Sequence, residues 1–520
     1  MTKTLSLKKR LSLVLLTAML SCTSVQKHNS RLDTLLEPFQ LHQDVEYALE
    51  QLEKLHPELY GYTPKETFYF KKDSLIETLN RPLTPREFYF RLAPLITEVR
   101  QGHLQLQPAQ RRYTIKESKA LKNKKGLLSE FSYQVKDGRI YIKAVKDPSL
   151  AHFSQSELTQ IEGKSAGELL QSYSRLVSRD GYNTTFLPYA LARRWPVYYT
   201  AEHSLNDSLQ LTLKRNDSLQ QLTLVRAPKT PQDLKEDQQE KKKKAAEKTR
   251  DYNPVTKSYN RTLEYLDADR KVALLKIRSF SYRGARSFYK SSFQELKDNR
   301  TEHLILDLRN NLGGSLAEIH DLYSYVSLEQ RFKLIEPIEL NSRSSLLHSS
   351  YQRLFPKVLR PVMWTFYIPY RLGSYLLVRK HQDRYVLSST YWTYPKKPKK
   401  TAYTKSLYVL VNGSSFSAAS TLASKLQSAG RAEILGEETG GAAKWAVAGQ
   451  YAVKQLPHSR LLLPIGLMKV TSYTHGKEHR KGHGVDPDLN LPTDSLLPGT
   501  SRDAAVDRIL KRISRLKTQR

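Results

Sequence analysis

The sequence predicts a multidomain protein of mixed α+β and α/β class. It has a helical N-terminal domain, a β-rich middle domain, and a C-terminal domain whose mixed sheet is covered by helices. Three observations predict this. Apolar residues recur at helical spacing at Val45, Ala48, Leu49, Leu52 and Leu55, and again at Phe88, Leu92, Leu95 and Ile96. Between residues 126 and 228 the pattern changes to alternating runs broken by Lys136-Asp137-Gly138 and Asn216-Asp217, which is hairpin-turn chemistry. From Val272 onward, short apolar runs alternate with helical stretches, as in strands covered by helices.

Residues 1–22 predict a secretory signal. Lys3, Lys8, Lys9 and Arg10 precede an apolar run, Leu11 to Leu20, that is too short to span a bilayer. Cys22 is the only cysteine and stands just after a small residue, Ser21, at the end of that run. It resembles the lipid-attachment cysteine of a bacterial lipoprotein, and no second cysteine exists for an intrachain disulfide. The expectation is a chain tethered by lipid to a membrane face, on the periplasmic side of the outer membrane.

Residues 31–112 predict the helical domain. One helix stops before Pro57, and Thr84-Pro85-Arg86-Glu87 is a capping box that opens another, with Pro94 as a kink. This domain ends at Gly102-His103, between a helix and an alternating run, a natural place to present an imidazole. Residues 126–228 form the β-rich domain, with a helical stretch from Ala166 to Leu176. Residues 229–254 are charged, contain proline and lack apolar content, which predicts a solvated linker or helical spur.

Residues 255–500 form the C-terminal domain. It begins with strands at Val272–Ile277 and Leu304 and a helix around Phe288–Leu296. The Leu304 strand runs into Leu-Ile-Leu-Asp-Leu-Arg-Asn-Asn-Leu-Gly-Gly, ending at Gly314, and a helix follows through Val326. A second apolar strand, Leu407 to Val411, runs into a serine-rich turn and then a helix through Leu426 that stops at Gly430. The insertion between them, Leu346 to Tyr394, is aromatic and basic. It predicts aromatics packed on the sheet, a lid over a groove, or a patch in a membrane interface. Residues 501–520 predict an amphipathic basic helix that covers the domain from solvent.

Composition limits the function classes. Hydrophobic content of 39% with 10% aromatics supports a core and excludes a multispanning membrane protein. The net charge of +33 invites nucleic-acid binding, but the cations are scattered and the sharpest run, Lys241–Lys244, lies in the linker. A generally basic surface, or affinity for anionic lipid, fits better; no nucleic-acid partner is expected. His475, His479 and His483 lack a completing carboxylate or cysteine pattern, so no metal or cofactor is expected.

A serine-rich turn between a buried strand and a helix places hydroxyls near helix-end amides. Ser414, Ser415, Ser417 and Ser420 compete for that position. The Asp307-Leu-Arg-Asn-Asn turn with Gly313-Gly314, the Ser417-Ala418 block opening a helix, and the Gly436-Glu-Glu-Thr-Gly-Gly441 turn occur in one order at consistent separations. Together they resemble the serine peptidases of the carboxy-terminal-processing, tail-specific and tricorn family.

That resemblance implies a crotonase-like catalytic domain, a PDZ-like domain over the β-rich segment, and peptide or unfolded protein as substrate. It implies Ser417 as nucleophile in an acyl-enzyme route and His103 as general base, although Leu104 stands where many members have threonine. It implies the N–H groups of Gly313, Gly314 and Ala418 as oxyanion donors. A glutamate usually precedes the motif present here as Gly484-Val-Asp-Pro-Asp488. The expected register holds Lys481; Glu478, a little earlier, is the residue taken for it, with Lys444, Glu437 and Glu438 as alternatives. The competing expectation is a catalytically degenerate lipoprotein that binds peptides. Oligomeric state is left open.

Overall fold

The computed structural model describes residues 25–246, 251–253, 258–281, 284–351, 360–387, 393–492 and 503–518. The predicted signal and Cys22 lie outside them. The N-terminal part is helical: α1 (Val25–Ser30), α2 (Pro38–Leu55), α3 (Lys65–Thr78), α4 (Pro85–Thr97) and α5 (Ile115–Lys122). The apolar stripe of α2 buries Leu41, Val45, Ala48, Leu49, Leu52 and Leu55. Thr84 caps α4 as its sequence requires: Glu87 N–H donates to Thr84 Oγ1 at 3.2 Å, and Thr84 N–H donates to Glu87 Oε2 at 2.8 Å.

The middle part is an antiparallel sheet of β1 (Phe131–Lys136), β2 (Arg139–Val145), β3 (Glu157–Ile161), β4 (Lys164–Ser165), β5 (Ser208–Arg215) and β6 (Ser218–Val225). Its order is β1-β2-β3-β5-β6, with β4 on β3. Asp137 and Gly138 both take positive φ, 50° and 72°, at the β1–β2 hairpin. Two helices interrupt the strands, α6 (Ala166–Ser174) and α7 (Phe186–His203). Helix α7 stands in a part of the β-rich domain where the sequence predicts no helix. Its buried face, Phe186, Ala190, Leu191, Trp195, Tyr198 and Tyr199, has helical spacing, which the internal Pro196 and the β-favouring aromatics obscure. Helix α8 (Pro231–Ala246) occupies part of the charged linker.

The rest of the chain contains β7 (Tyr252–Asn253), β8 (Ser258–Tyr259), β9 (Arg261–Tyr265), β10 (Val272–Ile277), α9 (Ala285–Asp298), β11 (His303–Asp307), α10 (Leu316–Ser324) and β12 (Ile338–Leu340). There follow α11 (Arg360–Leu377), β13 (Val378–His381), β14 (Arg384–Leu387), β15 (Ser406–Val411), α12 (Ala418–Ser428), β16 (Glu433–Gly436), β17 (Trp445–Gln455), β18 (Leu462–Thr471), β19 (Leu489–Asn490) and α13 (Ala504–Thr518).

One sheet has the order β19-β16-β15-β11-β10-β9; its strands are parallel except β9. A second runs β13-β14-β12-β18-β17. Strands β11 and β15 are neighbours, with Asp307 opposite Leu410, so the two motif turns leave the sheet side by side at its carboxyl edge.

Helix α13 does more than shield the domain from solvent. It buries Ala505, Val506, Ile509 and Ile513 against Ile305, Tyr408 and Leu410, the alternate residues of β11 and β15. Arg309 fastens it. The guanidinium bonds Asp307 Oδ2 at 2.8 Å and Asp503 Oδ2 at 2.5 Å. Asp503 Oδ1 in turn accepts the N–H groups of Ala505 and Val506, capping α13. Asp307 is fully buried and is shared between Arg309 and Lys276, whose Nζ lies 3.0 Å from Asp307 Oδ2, so deleting Arg309 leaves the charge with one cation instead of two. Arg309→Met is therefore expected to lower stability by about 1–3 kcal/mol, read as an earlier guanidinium chloride midpoint. An unchanged midpoint would show that the bridge contributes nothing.

Candidate active site

The site is built from the turn after β15. Three of its four serines are committed to structure. Ser414 Oγ accepts from Arg193 Nη1 at 2.9 Å, Ser415 Oγ donates to Leu308 O at 2.8 Å, and Ser420 Oγ donates to Ser415 O at 3.0 Å. All three are fully buried, whereas Ser417 is partly exposed and caps nothing with its side chain. Ser417 also holds φ 56° and ψ −121° at the head of α12, a conformation that non-glycine residues rarely adopt. A serine on a sharp strained strand-to-helix turn is a recurrent way of exposing a nucleophilic oxygen.

The β11 turn is locked onto this one. Asn310 and Ser414 N–H groups both donate to Asn412 Oδ1, and Phe416 N–H donates to Asn311 O at 2.9 Å. Gly313 is pressed against the nucleophile turn. A Cβ there would lie 2.7 Å from Ser417 Cβ and 2.8 Å from Ala418 N, at φ 95°. Gly441 meets the turn from the other side, where a Cβ would lie 2.6 Å from Ser417 N.

The three expected donors do not stand alike. Gly313 N–H is engaged by Asn311 Oδ1 at 2.8 Å, so this group is not free. The N–H groups of Gly314 and Ala418 have no protein acceptor among the described residues. Gly313→Ala is expected to cost about 100- to 1,000-fold in kcat, because the new methyl displaces Ser417 and Ala418 from their donor geometry. Steady-state peptide hydrolysis checks this; a loss under threefold would mean that the turn yields.

His103 is brought to this turn from the N-terminal part. Its ring lies 5.1 Å from that of Phe416, which in turn stacks on Phe186 at 4.7 Å. The backbone around it is clamped by the loop between α6 and α7. Ser178 Oγ donates to Leu104 O, Gly102 N–H donates to Asp180 Oδ1 at 2.7 Å, and Gly181 N–H donates to Arg100 O at 2.8 Å.

Asp180 is the acid beside His103, and its Oδ2 also accepts the Ala442 N–H at 3.1 Å. One buried carboxylate thus ties the histidine loop to the glycine turn that flanks Ser417. Burial raises the Asp180 carboxyl, an effect opposed by His103 and by the two N–H donors. Burial holds the His103 imidazole below its ordinary value, and the Asp180 charge opposes that too. His103 Nδ1 is shut off from water without a partner, and no hydrogen bond joins His103 to Ser417.

The structure does not bring Glu478 to this cluster. It is exposed, and Gly476 close by lies against Ser428 O, at the far end of α12 from Ser417. The loop before Gly484, which carries Glu478, swings to that helix end. Lys444 is exposed as well. Glu437 and Glu438 are spent on the fold. Glu437 Oε2 accepts from Tyr189 Oη at 2.7 Å, and Glu438 Oε1 accepts from Asn183 Nδ2 at 3.0 Å and Gly484 N–H at 2.7 Å.

Sequence reasoning missed Asp180. It sits in Ser178-Arg-Asp-Gly-Tyr-Asn183, which reads only as a polar turn. Among the described residues no group of three His, Cys, Asp or Glu is set to hold a metal. A cleft of about 1030 Å³ opens beside His103, walled by Tyr198, Tyr351, Tyr367, Tyr370 and Tyr451; Ser417 does not line it.

The fold is that of a serine-type peptidase. Residues 271–491 match the model of peptidase family S41. The crystal structure of mature CPAF is similar over 93% of this chain and 97% of its own, at 17% identity and a TM-score of 0.56. The structure of mature CPAF complexed with lactacystin is similar over 93% and 98%, at 16% identity and a TM-score of 0.57. The photosystem II D1 C-terminal processing protease is a looser match, at 13% identity over 89% and 96%, with a TM-score of 0.41. No curated protein sequence matches.

Proposed function

We propose that this chain is a serine endopeptidase of the carboxy-terminal-processing type, acting through an acyl-enzyme on Ser417. Ser417 Oγ attacks the scissile carbonyl and its proton passes to His103. The developing oxyanion is held by the N–H groups of Ala418 and Gly314. His103 then protonates the leaving amine, and a water activated by the same imidazole hydrolyses the ester. Asp180 positions His103 and stabilises its protonated form. The catalytic part is read as crotonase-like. The β1–β6 sheet is read as PDZ-like, its edge strands open to an added strand of substrate. Lipid on Cys22 would tether the enzyme on the periplasmic side of the outer membrane.

The observation that carries this reading is the strained, uncommitted hydroxyl of Ser417 beside three serines that are all bonded. A serine-reactive phosphonate tests it. Labelling that maps to Ser417 and vanishes in Ser417→Ala supports the enzyme. The second reading is a peptide-binding protein on the same scaffold, favoured by the missing Ser417–His103 bond; it predicts peptide binding without any labelling.

A further inference from the structure

Helix α11 carries an apolar stripe that no described residue covers. Ile368, Leu372 and Leu376 follow one another at i, i+4 and i+8, so they line one face. They are 49%, 59% and 67% exposed. Tyr370 and Leu377 beside them are 47% and 46% exposed. Isolated exposed leucines need no explanation, but a row of them along one helix does.

Along the helix itself, residues 360–377, the charge has one sign. No Asp or Glu occurs between Glu339 and Asp383, nor between Asp383 and Glu433. Arg343 lies over the Tyr375 ring at 4.6 Å, and Arg371 over Tyr367 at 5.4 Å. Arg379, Lys380 and His381 are exposed on β13, directly after the helix. A second copy is a poor occupant, because pairing two such faces brings arginines together with no carboxylate between them. An anionic surface suits both the apolar stripe and its cationic rim.

The stripe also has a place on the molecule. His28 of α1 contacts Gln110 O at 3.0 Å, and Gln107 to Gln110 border the cleft walled by Tyr367 and Tyr370 of α11. Helices α1 and α11 therefore flank one stretch of surface, with the cleft that reaches His103 beside them.

We infer that α11 is an interfacial helix: its Ile368–Leu372–Leu376 face inserts into the headgroup region of an anionic bilayer and sets the cleft against the membrane. Binding draws on apolar burial plus attraction of the arginines to acidic lipid. It does not depend on lipid at Cys22 or on peptidase activity, so the test removes the first and ignores the second.

The experiment uses the full chain with Cys22→Ser and a single new cysteine, Leu376→Cys, carrying an environment-sensitive fluorophore. Vesicles of phosphatidylglycerol with phosphatidylethanolamine are compared with phosphatidylcholine vesicles. The expected result is a blue shift with the anionic vesicles only, quenched by lipids labelled in the upper acyl chain. Adding Leu372→Glu is expected to raise the lipid concentration for half-maximal shift about tenfold or more. Chain that sediments with vesicles while the fluorophore stays water-exposed overturns the inference, as does no binding at all. A blue shift that grows with protein concentration without vesicles overturns it in favour of self-association.

Discussion

Ser417→Ala is expected to lower kcat/KM for peptide hydrolysis by on the order of 100,000-fold while leaving the fold intact. The size follows from the chemistry, since no other hydroxyl in the turn is available to substitute. Ser414, Ser415 and Ser420 are each held in a hydrogen bond, and all three are buried. The fold is expected to survive because Ser417 caps α12 without a side-chain bond, so alanine removes no structural contact. Its backbone strain stays, since alanine tolerates positive φ no better than serine. The paired measurements are progress curves on an unfolded protein substrate and a thermal melt. Retained hydrolysis with an unchanged melt would sink Ser417 as nucleophile.

His103→Ala is expected to cost on the order of 10,000-fold or more in kcat/KM, and the pH profile gives the sharper test. A general base works when neutral. Burial holds the His103 imidazole below its ordinary value, so the neutral form persists to lower pH. The acid limb of kcat/KM in the wild type is therefore expected below about 6.5.

Asp180→Asn removes the negative charge that favours imidazolium. The limb then moves further down, and kcat falls because one of the two N–H groups held by the carboxylate loses its acceptor. A limb at or above the ordinary imidazole value, or one that Asp180→Asn leaves in place, contradicts the assignment. A purely structural role for Asp180 would lower activity without moving the limb.

Much of the site was legible locally. Strand β15 and helix α12 are written in the apolar run from Leu407 and the spacing from Ala418 to Leu426, and Gly430 stops the helix at φ 59°. The glycines at 313 and 441 stand where any side chain would strike the nucleophile turn. Helix α7 was not read, though its buried spacing was present, because proline and aromatics masked it. That omission mattered: α7 supplies Arg193 to Ser414 and Tyr189 to Glu437, and its head packs on Gly413.

What the sequence alone determined is the pair of strand–turn–helix units and the residues at their crossings, since turn chemistry and periodicity act within about ten neighbours. Which acid faces His103 was decided only by tertiary structure. Asp180 reaches across 78 positions to Gly102 and 262 to Ala442, whereas Glu478, the glutamate taken a little before the motif register at Lys481, ends up in solvent. The reason is physical: a carboxylate becomes buried and bonded through the packing of distant loops, and no local pattern encodes that packing.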